Sequence, residues 1–81
     1  MGEEPQTLAR LVAGESATVS EINLPENDQH RLLEMGLIIG TPVELIRFAP
    51  LGDPIEVRVR GYHLTLRKHE ADQILVTKAD D

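Results

Sequence analysis

The chain has 81 residues, with 14 Asp and Glu against 8 Lys and Arg for a formal charge of −6; that length holds one domain and excludes a multi-domain enzyme. It has no cysteine, which excludes a disulfide framework, a Cys-based zinc site and a thiol nucleophile and fits a reducing compartment. Apolar runs such as Leu37-Ile38-Ile39 fall far short of the roughly 18–20 residues of a membrane span, and the acidic start Met1-Gly2-Glu3-Glu4-Pro5 lacks the basic and apolar regions of a secretory signal.

In chain order, residues 1–6 read as a flexible tail, 7–77 as one domain and 78–81 as an acidic tail. Thr7 is placed to cap a short helix in which Leu8, Leu11 and Val12 share a face, with Gly14 as its left-handed stop. Ala17 to Leu24 reads as a strand whose parity breaks: Ala17 and Val19 mark one face, Ile22 and Leu24 the other. A bulge near Ser20-Glu21 reconciles them.

Asn27 is expected to cap a helix over Asp28–Met35, with Leu32, Leu33 and Met35 gathered on one side and His30 and Glu34 in solvent. Gly36 then ends it in a Schellman motif, with Leu37 folding back on Leu32. Pro42–Phe48 and Ile55–Arg60 read as antiparallel strands around a long Pro50–Pro54 loop. Ile55, Val57 and Val59 point inward, and Glu56, Arg58 and Arg60 form a charged outer row. The next strand turns Tyr62, Leu64 and Leu66 in and His63, Thr65 and Arg67 out; a helical turn at Lys68–Asp72 and a strand at Ile74–Thr77 finish the chain. Five short, bent strands with little helix imply a small, partly open β-barrel, because so small a sheet covers its core by curling.

Charge is unevenly spread. Four acids sit in the end segments, so residues 5–79 carry ten acids against eight bases. Between Arg47 and Lys68 five bases face only Asp53 and Glu56, a local net of +3.

The blocks Leu32-Leu33-Glu34-Met35-Gly36-Leu37, Gly40-Thr41-Pro42-Val43-Glu44, Ala49-Pro50-Leu51-Gly52-Asp53-Pro54-Ile55 and Arg58 through Arg67 together resemble the FeoA family of ferrous-iron transport accessory proteins. With Leu8, Leu11 and Gly14-Glu15 the likeness covers almost the whole chain; Ile39 stands where members commonly have Pro. The resemblance implies an SH3-like barrel in the cytoplasm. It also implies action on FeoB, a membrane protein with a GTPase domain that moves Fe²⁺ inward, by promoting its assembly or activity.

Docking on such a partner would use Leu51, Gly52 and Asp53 on the stiff loop together with Tyr62 and His63, with Arg58 and Arg60 as a polar rim. Each has a plainer reading: Asp53 bonds its own turn, Tyr62 and Phe48 close the core, and the arginines pair with Glu56 on a solvated face. His30 with Glu34, and His69 with Asp72, have the spacing of two metal ligands each. Two ligands are not a site, so Zn²⁺ or Fe²⁺ there is expected to be adventitious and no cofactor is required. A metal-sensing domain and a nucleic-acid-binding barrel are the alternative readings; the second lacks the basic balance and stacking aromatics such modules use. A weak homodimer is compatible with the chain. No phosphate loop, Gly-x-Ser-x-Gly or His-Glu-x-x-His motif is present, so the chain reads as a non-enzyme.

Overall fold

The computed structural model describes residues 6–78. Strand β1 (Gln6–Thr7) runs into a 3-10 turn at Leu8–Arg10, followed by β2 (Ser16–Ile22), helix α1 (Glu26–Glu34), β3 (Pro42–Phe48), β4 (Ile55–Val59), β5 (Tyr62–Leu66), α2 (Lys68–Ala71) and β6 (Ile74–Lys78). One antiparallel sheet takes the order β1-β6-β2-β3-β4-β5. The sheet has two ends, β1 and β5. Of the segments read as tails, 1–5 and 79–81 lie outside the described residues, while Gln6 and Lys78 belong to β1 and β6. The sixth strand, β1, has only two residues and no periodicity by which to be recognised.

The core is aliphatic: Leu8, Leu11, Val19, Leu32, Leu37, Leu45 and Val57 are among the side chains buried from the sheet, α1 and the loops. Ile55, Val57 and Val59 are all fully buried, as their alternation predicts. The pairing of β2 with β6 shifts between Val19 and Glu21, which is the expected bulge at Ser20. β3 carries a second irregularity between Leu45 and Arg47.

Helix α1 ends as its sequence predicts. Gly36 has φ +90°, its N–H donates to the Leu33 carbonyl at 3.0 Å, and the Leu37 N–H donates to the Leu32 carbonyl at 2.9 Å. Leu32 and Leu37 are both fully buried, completing the Schellman contact. Its start differs: the cap is Pro25 and Asn27 lies inside the helix. Gln29 supplies the tie that the sequence reading missed, donating from Nε2 to the Leu24 carbonyl at 2.8 Å and the Ile22 carbonyl at 3.2 Å. Leu33 is exposed, not buried with Leu32, because α1 offers the core a stripe one leucine wide.

One further expectation near the N-terminus needs correction and another needs narrowing. The turn after Thr7 is a single 3-10 segment; it buries Leu8 and Leu11 but leaves Val12 in solvent. Thr7 does hold the N-cap position, as expected, but its hydroxyl makes no capping bond and no other hydrogen bond within the described residues.

Candidate docking surface

The Pro50–Pro54 loop is held by its own backbone, with the Gly52 N–H on the Ala49 carbonyl at 2.7 Å and the Ala49 N–H on the Pro54 carbonyl at 2.9 Å. Gly52 takes φ +86°, which a side chain rarely adopts, and the Asp53–Pro54 peptide is cis. Leu51, at the tip, is 94% exposed. Asp53 does not bond its own turn. Its Oδ1 accepts from the Lys68 N–H at 2.9 Å, tying the loop to the first turn of α2.

Tyr62, expected to help close the core, is 66% exposed. It starts β5, opposite Val59 across a two-residue turn in which Arg60 (φ +55°) and Gly61 (φ +85°) are both left-handed. Two positive φ angles in a two-residue loop define a type I′ hairpin turn. Phe48, by contrast, is half-buried against the core. Here at the sheet's last strand, parity names a face but not a cover.

Tyr62, His63, Arg58 and Arg60 therefore cluster at the turn end of the β4–β5 hairpin, with Arg58 directly opposite His63. Leu51, Gly52 and Asp53 sit at its other end, beside Ile55 and Leu66. The expected contact residues form two groups, about 13 Å apart at the rise of an extended strand from Ile55 to Val59.

The charged row is paired differently from the sequence reading. Arg58 reaches across to Glu44 at 2.7 Å, and it is Arg47 that meets Glu56, at 3.3 Å. Arg60 and Arg67 form no ion pair among the described residues. Arg31 on α1 pairs with Glu70 of α2, whose other oxygen accepts the Arg67 N–H at 3.1 Å.

Two clefts follow β5, and the sequence offered no sign of either because each needs α1 laid beside it. One, of about 410 Å³, has Glu34, Met35 and Gly36 on one wall and Tyr62, His63 and Leu64 on the other, closed by Arg60. The second, of about 510 Å³, lies between Arg31 and Glu70 and the run Thr65-Leu66-Arg67, with Pro54, just ahead of β4, closing its end. Elsewhere, Leu33 and Ile39 form an exposed apolar patch near Ile22 and Ile38.

His30, Glu34, His69 and Asp72 are all exposed. Asp72 faces Lys68 at 3.9 Å. Among the described residues no three His, Asp or Glu side chains come together in a way that could hold a metal ion.

Residues 6–78 match the model of the FeoA domain family. The chain belongs to the FeoA family. A fusion of Fe(2+) transport protein A with the Fe(2+) transporter FeoB from Porphyromonas gingivalis is 32% identical over 69 residues, which are 85% of this chain and 8% of that protein. The solution structure of FeoA from Chlorobium tepidum is 40% identical with a TM-score of 0.90, over 93% of this chain and 71% of that one. FeoA of Stenotrophomonas maltophilia, an SH3 domain protein solved as a zinc complex, is 33% identical with a TM-score of 0.74 over 88% of each chain.

The names of these relatives place them in ferrous iron transport, and the SH3-like fold read from this sequence is its fold. Among the described residues the strand count is corrected from five to six. No helix is long and apolar enough to cross a membrane among the described residues.

Proposed function

We propose that this chain is a cytoplasmic, non-enzymatic accessory protein that docks on a FeoB-type membrane GTPase transporter and promotes its assembly or activity in ferrous iron uptake. The observation that carries the reading is the Porphyromonas gingivalis relative, in which a FeoA segment and FeoB share one polypeptide. A covalent link keeps two modules at high effective concentration, which favours a pair that works in contact. On this reading Leu51, Gly52 and Asp53 meet the partner at one end of the hairpin, and Tyr62, His63, Arg58 and Arg60 at the other. An ordinary interface of about 800 Å² per partner spans both ends.

The accessory protein acts by binding one state of the transporter better than another, since equal affinity for both shifts nothing. It requires no cofactor and no nucleic acid, and the pairs His30/Glu34 and His69/Asp72 take Zn²⁺ or Fe²⁺ only adventitiously. Retention of the chain on immobilised, detergent-solubilised FeoB-type transporter is the test, run with GTP, GDP or no nucleotide and with or without Fe²⁺. Retention that depends on the nucleotide is expected. No retention under any of these conditions would falsify the reading.

A further inference from the structure

A cleft on the face of a sheet is lined by every second residue of a strand, because side chains alternate. The two clefts beside β5 are lined by the consecutive runs Tyr62-His63-Leu64 and Thr65-Leu66-Arg67. Clefts of that kind open onto the edge of the strand. β5 pairs only with β4, so this edge is free of any strand among the described residues.

Which backbone groups face outward follows from the turn. The residues flanking a two-residue type I′ turn form a hydrogen-bonded pair, and such pairs recur at every second position. Tyr62, Leu64 and Leu66 thus bond to Val59, Val57 and Ile55. The N–H and C=O groups of His63 and Thr65 point the other way, away from β4, and both residues are exposed.

Charge frames the edge. Arg60 stands at one end and Arg67 at the other, neither in an ion pair among the described residues. Glu34 lines the Arg60 cleft, and Glu70 in the other is engaged by Arg31 and the Arg67 N–H. Arg60 keeps a left-handed backbone, which Gly, Asn and Asp adopt most readily, so its side chain is held there against the preference of the turn.

Resting on the docking reading for its physiological partner, we propose that the free edge of β5 accepts an extended partner segment as an added strand. That segment is about as long as β5 and has a carboxylate near each end. Strand addition supplies affinity through main-chain bonds to His63 and Thr65 and register through Arg60 and Arg67. A second copy of this chain is disfavoured as occupant, because antiparallel pairing of two β5 edges sets the Arg60 end of each against the Arg67-Lys68 end of the other.

The test is amide hydrogen exchange by NMR on the full chain, titrated with a capped heptapeptide of alternating Thr and Val that ends in Glu on both sides. A counterpart ending in Lys serves as control. The Glu peptide is expected to slow exchange at His63 and Thr65 while leaving Leu64 little changed, and to bind about tenfold tighter than the Lys peptide. Thr65→Pro removes an edge N–H that the barrel does not use and should abolish the protection. Arg60→Asn creates the preferred Asn-Gly turn and should leave the thermal midpoint equal or higher while weakening the peptide several-fold.

No protection at His63 and Thr65 with millimolar peptide overturns the proposal, as does equal binding by the Lys peptide. If Thr65→Pro fails to fold, Arg60→Asn and Arg67→Ser decide, and binding unchanged in both overturns it. A dimer broken by Thr65→Pro would instead assign the edge to a second copy. Failure of the transporter to retain the chain while the peptide still protects the edge sinks the docking reading alone.

Discussion

The Lys68 backbone N–H donates to Asp53 Oδ1 at 2.9 Å, joining two segments fifteen residues apart. It anchors the loop that presents Leu51 to the start of α2, whose first N–H groups have no partner within the helix. Asp53→Ala should lower stability by about 1 kcal/mol, the value of a helix-start hydrogen bond. Leu51→Ala should leave the thermal midpoint unchanged, since Leu51 touches almost nothing, while reducing retention on the transporter. A thermal melt beside the retention assay separates the two effects.

Glu70 is buried and serves two masters, the Arg31 side chain and the Arg67 N–H. Glu70→Ala leaves both unpaired and should cost about 1–3 kcal/mol, a fall in midpoint of roughly 4–24 °C for a domain this small. Arg31→Ala should also destabilise, because it strands a buried carboxylate. The double variant should lose less than the sum of the two, as urea titrations of all four proteins would read out.

Glu15 links the loop before β2 to β6, accepting from Lys78 Nζ at 2.6 Å and from the Val12 N–H at 2.8 Å. The hydrogen bond from Lys78, then that from Val12, holds its carboxyl below the ordinary value of 4.5. Because the folded value lies below the unfolded one, its contribution is complete above the ordinary value and is lost as pH falls through the folded value. Glu15→Gln should therefore be less stable than the parent at pH 7, and the gap should shrink below about pH 4. Midpoints measured across that range would refute the linkage if the gap stayed constant.

Gly36 meets no obstacle to a Cβ, the nearest atom being Arg60 Cδ at 3.8 Å. Its requirement is the backbone alone, at φ +90°. Gly36→Ala should cost about 1 kcal/mol and Gly36→Asn less, because Asn tolerates left-handed angles. Equal losses for the two variants would point to packing instead.

What could be read in advance was whatever leaves a local mark. The parity break at Ser20 announced the bulge, Gly36 before Leu37 announced the helix stop, and Ile55, Val57 and Val59 announced a buried face. For Leu33 and Tyr62 periodicity gives direction, while burial depends on what lies opposite; α1 presents little beyond Leu32, and β5 is an edge of the sheet. The expected contact residues fall within one stretch of thirteen positions in the sequence, Leu51 to His63 inclusive of the rim, yet the hairpin divides Leu51 from Tyr62. The clefts along β5 required Met35 and Leu64, twenty-nine positions apart, to become neighbours. No spacing rule contains that.

The pairing of Gln6 with Val76 brings the entry and exit of the barrel side by side on its first edge strand, at the opposite end of the strand order from β5. A module whose ends leave together can be attached to a larger protein, or set within one, through a single seam. The tether and the recognising edge are then separate, so a covalently joined copy keeps the same free face as a diffusing one.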